Sequence, residues 1–346
     1  MVGFTPSGRV IVLGAGASVF AGYPLAAELL GFVRNYTFSE AKTREKASRV
    51  LWKLSEAETI FTRDVVRNPN GVANLEELLT YLELYHSFPG RTFSLNPWDG
   101  SDSADIRTIV TFRFLEYQYD FNKRVIQDDA KEPSLSRVMD AWATFVKPGD
   151  VILTFNWDVL HETILWRSRL WSYRDGYGFS CDGQGEKEQL TKTLMLKLHG
   201  SVNWVQKDEN NLVAYIADVK NFFPESQDWK WRPHYDESQA DSGRKLVLPT
   251  YLKDISSNKA LLPVWTSAYR AVNEAKEMIV VGYSLNPVDH PARLLFGTAL
   301  SANAGLDRVT VVSPSTGEWD EFLNLMNKKV IPVRMRFEDW VVTTGQ

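Results

Sequence analysis

The stretch 9–30, RVIVLGAGASVFAGYPLAAELL, constrains the fold more than any other part of the chain. Val10–Leu13 is a run of β-branched and aliphatic residues that enters Gly14-Ala15-Gly16-Ala17-Ser18 without a break, and an apolar helical pattern opens near Leu25. This order reads as strand, small-residue turn, helix. It suits a dinucleotide: glycines at 14 and 16 permit a tight turn and let backbone N–H groups approach a pyrophosphate, whose charge the positive end of a helix dipole favours. The third glycine of G-x-G-x-x-G falls on Val19, a departure from the dehydrogenase fingerprint. From these residues alone a nucleotide-binding turn and a purely structural turn both stay open.

The same alternation returns in the second half. Strands are expected at Asp150–Phe155, Leu194–Leu198, Lys245–Leu248, Met278–Val281 and Arg308–Val312, with a last extended stretch at Val330–Phe337. Helices are expected from near Val159 and at Leu262–Lys276, Ala292–Leu300 and Trp319–Met326. Strands alternating with helices imply parallel βαβ units. Between them, Ser39–Phe61, Asn74–His86, Ile106–Gln127 and Ser134–Phe145 carry apolar residues at helical spacing, with a Pro/Gly-rich loop at Phe88–Ser103. The basic cluster Lys42, Arg44, Lys46, Arg49 reads as a solvated face. Arg174–Glu188 reads as a loop, and Asp208–Gly243 as an irregular, aromatic insertion. The expected fold class is therefore α/β: a Rossmann-like parallel sheet with helices on both faces, made of residues 1–36 and 148–346. Residues 37–147 form a helical insertion, a smaller second domain able to cap a cofactor cleft.

At 346 residues the chain is long enough for a substantial core or two. Its formal net charge of −4 gives no global reason to expect nucleic acid or an anionic membrane as partner. The single cysteine, Cys181, excludes an internal disulfide and a Cys-rich zinc site, so no metal and no zinc module are expected. No export signal or apolar span is visible, which makes the cytoplasm the expected location.

Polar groups collect at expected strand ends. Asn156-Trp157-Asp158 follows the 150–155 strand, where ligands bind in open α/β sheets. Asp158 as a helix N-cap and Asn156 as a turn residue is the competing reading. His199-Gly200 follows the next strand, and an imidazole there suits proton transfer as well as a structural role. Gly282-Tyr283-Ser284 and Ser313-Pro314 end two more.

Taken together these pieces resemble the sirtuin superfamily, and specifically its bacterial zinc-lacking branch. Gly14-Ala15-Gly16-Ala17-Ser18 is similar to its GAGxS turn, Ala21-Gly22-Tyr23-Pro24 to a degraded GIP segment, and Thr154-Phe155-Asn156-Trp157-Asp158 to T-x-N-x-D; His199-Gly200 is similar to HG, and Gly282-Tyr283-Ser284 to the late G-T-S. The resemblance implies NAD as substrate, with Gly14, Ala15, Gly16, Ser18 and Gly22 about the pyrophosphate. Gly282, Tyr283, Ser284 and Ser313 would then line the adenosine side, and Asn156 and Asp158 the ribose and nicotinamide. His199 would be general base, Asn156 would orient the nucleophile or ribose, and Asp158 would bind the carboxamide or favour developing positive charge. The GIPDFR segment reads Gly22-Tyr23-Pro24-Leu25-Ala26-Ala27 here and the zinc cysteines are missing, so water becomes the expected acceptor. The expected activity is NAD hydrolysis to nicotinamide and ADP-ribose. Kinship implies an NAD-depleting antiphage effector controlled by a partner protein or by homo-oligomerisation. Protein deacylation or ADP-ribosyl transfer, and a non-catalytic NAD or ADP-ribose sensor, are the alternatives.

Overall fold

The computed structural model describes residues 4–38, 41–61, 75–87, 100–127, 133–173, 175–179, 190–206, 212–214, 244–246, 259–287 and 289–344. Its strands are β1 (Arg9–Leu13), β2 (Val151–Thr154), β3 (Leu194–Lys197), β4 (Gly200–Gln206), β5 (Leu212–Ala214), β6 (Arg244–Leu246), β7 (Glu277–Val281), β8 (Arg308–Val312) and β9 (Lys329–Val333). Its helices are α1 (Leu29–Arg34), α2 (Ala41–Ile60), α3 (Leu75–Ser87), α4 (Gly100–Gln127), α5 (Pro133–Phe145) and α6 (Leu160–Arg167), then α7 (Leu262–Asn273), α8 (His290–Ala302), α9 (Gly317–Asn324) and α10 (Phe337–Thr344).

Six strands form one parallel sheet in the order β3-β2-β1-β7-β8-β9, so the fold is α/β and Rossmann-like. The apolar runs 10–13 in β1, 151–153 in β2 and 194–196 in β3 follow from burial on both faces. One helical layer contains α5, α6 and α10, where Trp142 meets His161 and Phe337; the other contains α7, α8 and α9, where Phe296 meets Trp319. The chain starts mid-sheet, works outward to β3, crosses back and works outward to β9. Strand order therefore reverses between β1 and β7, the place where open α/β sheets hold ligands.

Register decides what stands at that place. Leu13 pairs with Thr154 on one side and Val281 on the other, and Thr154 pairs with Lys197. The residues that follow, Gly14, Phe155, Leu198 and Gly282, emerge side by side on one edge. At the opposite edge Arg9 ties β1 to Asp150 at 2.5 Å and donates to the Phe145 carbonyl at 2.8 Å.

Several local expectations change. No α-helix follows the glycine turn; Ala15–Ala17, Val19–Ala21 and Ala26–Glu28 are single 3-10 turns, and α1 begins only at Leu29. Gly22 ends the second turn in the left-handed region (φ 85°), and Pro24 lacks the N–H that a continuing helix needs. The strand expected at Lys245–Leu248 is found at 244–246, where it builds a separate antiparallel sheet, β5-β4-β6, with 200–206 and 212–214 instead of extending the parallel one. Gly200, at φ 75°, turns the chain out of the main sheet directly after His199. Residues 100–103, expected as loop, open α4, where Asp102 and Asp105 receive Lys53, Lys46 and Arg49 from α2. Lys46 and Arg49 are thus part of a helix–helix contact, and Arg44 donates to the Phe38 carbonyl. Cys181, most of 208–243 and residues 88–99 lie outside the described residues. Among those described, no helix is long and apolar enough to cross a membrane.

Candidate functional site

The glycine turn is built against the β7 tip. Gly14 N–H donates to Val281 O and Gly16 N–H to Gly282 O, both at 3.0 Å. A Cβ on Gly14 would stand 2.5 Å from Gly282 O, and one on Gly16 would stand 2.8 Å from Gly282 Cα. Gly282 itself, at φ 61°, would place a Cβ 2.6 Å from Ala17 N. Three glycines are needed here because two backbones touch across the switch point. Ala17 and Ser18 N–H groups close on the Gly14 and Ala15 carbonyls at 2.9 and 3.0 Å. Four N–H groups of the turn therefore bond within the protein, and the α-helix dipole expected behind it is not there.

Asn156 and Asp158 converge on the same turn. Asn156 Nδ2 donates to Gly14 O at 2.9 Å and to Ser18 Oγ at 3.1 Å, which stitches the β2 tip to the β1 tip. Ser18 Oγ donates to Asp158 Oδ2 at 3.1 Å, while Asp158 Oδ1 accepts the Leu160 N–H at 3.1 Å. Asp158 is not the N-cap, which is Val159, but stands one place ahead of it, takes the first N–H of α6 and also anchors Ser18. His161 Nε2 lies 3.5 Å from Ser18 Oγ. Sealed from water between Trp142 and Phe337, this imidazole has its pKa pushed down to about 4 by desolvation, against a smaller opposing pull from Asp158.

Behind this layer lies a buried ion pair. Lys197, the last residue of β3, is fully buried and donates to Glu162 Oε1 at 2.7 Å and to the Asp158 carbonyl at 2.5 Å. Tyr177 OH donates to the same Glu162 oxygen at 3.1 Å, and Asn203 Nδ2 donates to Tyr177 OH at 3.1 Å. Burial raises the Glu162 pKa and the Lys197 ammonium opposes that rise. The pair fixes the Asp158 backbone from below.

His199 stands at the β3 end and faces β2 and β7. Its ring meets Phe155 edge-on at 5.0 Å, and Phe155 stacks on Tyr283 at 4.1 Å with 3° between planes. Its Nε2 lies 3.3 Å from Asp289 Oδ2 without hydrogen-bond alignment and is shielded from solvent. Tyr283 OH donates to Asp289 Oδ2 at 3.4 Å. Burial, then Asp289, lift the Tyr283 pKa well above its usual value, so the phenol stays protonated. Trp157 and Trp265 donate their indole N–H groups to the His199 and Leu198 carbonyls at 3.1 and 3.0 Å, which pins the backbone on both sides.

The remaining candidates scatter. Gly22 and Ser284 are exposed, and Tyr117, donating to Ala21 O at 2.9 Å, fills the space a Gly22 side chain would need. Ser313 holds the β8 and β9 ends, its N–H on Val333 O at 3.1 Å and its Oγ accepting from Ser315 N–H at 3.4 Å. Sequence reasoning missed His161, Glu162, Lys197 and Asp289. A lysine inside LMLKL was the readable signal, because an ammonium in a buried strand needs a paired carboxylate. Asp289 ahead of His290-Pro291 reads only as a helix cap.

No model of a known protein family matches the chain, and no curated protein does. Among the described residues no group of three or more His, Cys, Asp or Glu is placed to hold a metal ion. The class the fold and site define is a doubly wound α/β protein with a polar, histidine-bearing cluster at its switch point.

Proposed function

We propose that the protein hydrolyses NAD to nicotinamide and ADP-ribose at this edge, as an NAD-depleting enzyme of the sirtuin-like type. The observation that supports this reading is the meeting of four strand ends, carrying Gly14–Ser18, Phe155–Asp158, His199 and Gly282–Tyr283, beside the point where strand order reverses. The glycosidic C1′–N bond of NAD breaks with its electron pair leaving on nicotinamide. Water adds to the oxocarbenium-like C1′, and His199 accepts the water proton. Asn156 and Asp158 act through Ser18 to hold the glycine turn in place.

A sensor that binds NAD without turnover is the second reading. One observation favours it: Asn156 spends both amide N–H groups on Gly14 and Ser18 and so has none to orient an attacking water. Nicotinamide release from NAD by purified protein, with and without an acyl-peptide, separates the readings. Release without peptide is expected, reduced at least ~10²-fold in His199→Ala with a melting temperature close to wild type. Binding without release selects the sensor. Release only with peptide selects deacylation, and a melting temperature far below wild type makes His199 structural.

A further inference from the structure

We infer that Asp289 is the positioning residue for His199: its carboxylate holds the imidazole as the Nε2–H tautomer and leaves Nδ1 as the basic nitrogen. The inference rests on the hydrolase reading only for the bond that this base serves.

Three observations carry it. Asp289 is the N-cap residue of α8, yet its side chain makes no cap hydrogen bond. The carboxylate instead approaches His199 Nε2 at 3.3 Å and accepts from Tyr283 OH at 3.4 Å. An aspartate at this position ordinarily caps the first turn, so turning the side chain toward an imidazole forgoes that local helix stabilisation. Second, the pair joins β3 to the segment after β7, two elements that do not pair in the sheet, and both side chains are nearly buried, at 11% and 5% exposure. In so dry a setting a carboxylate facing a ring nitrogen favours a proton on that nitrogen. Third, Nε2 is sealed, so the exposure that remains to the side chain lies on its other atoms. A proton taken from water must reach the other nitrogen, which the Nε2–H tautomer provides as a lone pair.

The lack of alignment at Nε2 matches a site that tightens when its ligand binds, since catalytic hydrogen bonds are often long or poorly aligned without one. Tyr283, protonated and stacked on Phe155, donates to the same carboxylate oxygen that faces the imidazole and so holds that oxygen in place.

The test uses the full chain with 15N-labelled histidine, alongside nicotinamide release. Wild-type His199 is expected to show the Nε2–H pattern in its ring nitrogen shifts. In Asp289→Asn the amide can donate to Nε2 instead, so the opposite tautomer should appear. kcat should fall on the order of 10²-fold or more with KM within about twofold. Asp289→Ser, which keeps a good N-cap residue but removes the carboxylate, gives the same two readouts if Asp289→Asn fails to fold. A wild-type Nδ1–H pattern, or unchanged spectra and kcat in both variants, overturns the assignment. Wild-type protein that leaves NAD intact defeats the hydrolase reading instead, and the ring spectra still decide the pairing.

Discussion

Acid should weaken this protein through one buried imidazole. His161 is 2% exposed, with Trp142 and Phe337 edge-on at 5.5 and 5.6 Å and Ser18 Oγ 3.5 Å from Nε2. Its pKa is pushed from 6.5 down to about 4 by desolvation. Above pH 6.5 the ring is neutral in folded and unfolded chains alike and has no effect on the pH dependence. As pH falls from 6.5 toward 4 the unfolded chain takes up a proton that the folded chain refuses. Stability is lost through that window at about 1.36 kcal/mol for each pH unit, which comes to about 3 kcal/mol once pH 4 is reached. Other groups titrate in the same range, and burial raises Glu162, which acts in the opposite sense. Comparison with His161→Gln removes them, since the amide keeps a polar atom near Ser18 and does not titrate. Urea unfolding followed by tryptophan fluorescence at pH 7.5 and 4.5 gives the four stabilities required. The wild type should lose about 2–3 kcal/mol more than the variant between the two values. Parallel losses, equal within about 0.5 kcal/mol, would show that the unfolded and folded chains protonate His161 alike and would refute the argument.

Gly282→Ala forces a Cβ to 2.6 Å from Ala17 N at φ 61°; strain and overpacking together should cost about 2–5 kcal/mol in a denaturant melt. Gly317→Ala, with nothing within 4 Å of its Cβ, is the control and should stay within about 1 kcal/mol of wild type. Lys197→Met leaves the Glu162 carboxylate buried and uncompensated, a loss of about 3–5 kcal/mol, whereas the Lys197→Met/Glu162→Leu pair should recover most of it. Additive losses in that double variant, read from the same urea curves, would show that the two side chains do not interact. His199→Ala should cut nicotinamide release at least ~10²-fold while keeping the melting temperature close to wild type, both read on the same purified protein.

The apolar runs of β1, β2 and β3 were legible because burial on both faces leaves a strand few polar positions, and Lys197 at the end of β3 is held there by Glu162. Alternation of strand and helix pointed to a parallel sheet for the same local reason. Asn156 and His199 were legible as strand-end residues, but not their partners. Nothing local predicts that Asn156 donates to Gly14, or that Asp289, ninety positions along, faces His199. The strand expected at Lys245–Leu248 joins a different sheet, and the strand at 200–206 went unread, because short strands carry no mark of which sheet they join.

What the amino-acid order determined by itself was periodicity and punctuation: where strands stop, where glycine or proline breaks a helix, which residues are too apolar to face water. Strand order, the contact of Gly14 and Gly16 with Gly282, and the pairing of Lys197 with Glu162 were decided only in three dimensions. Periodicity arises between neighbours a few residues apart, whereas these contacts join elements whose proximity exists only once the sheet has assembled around them.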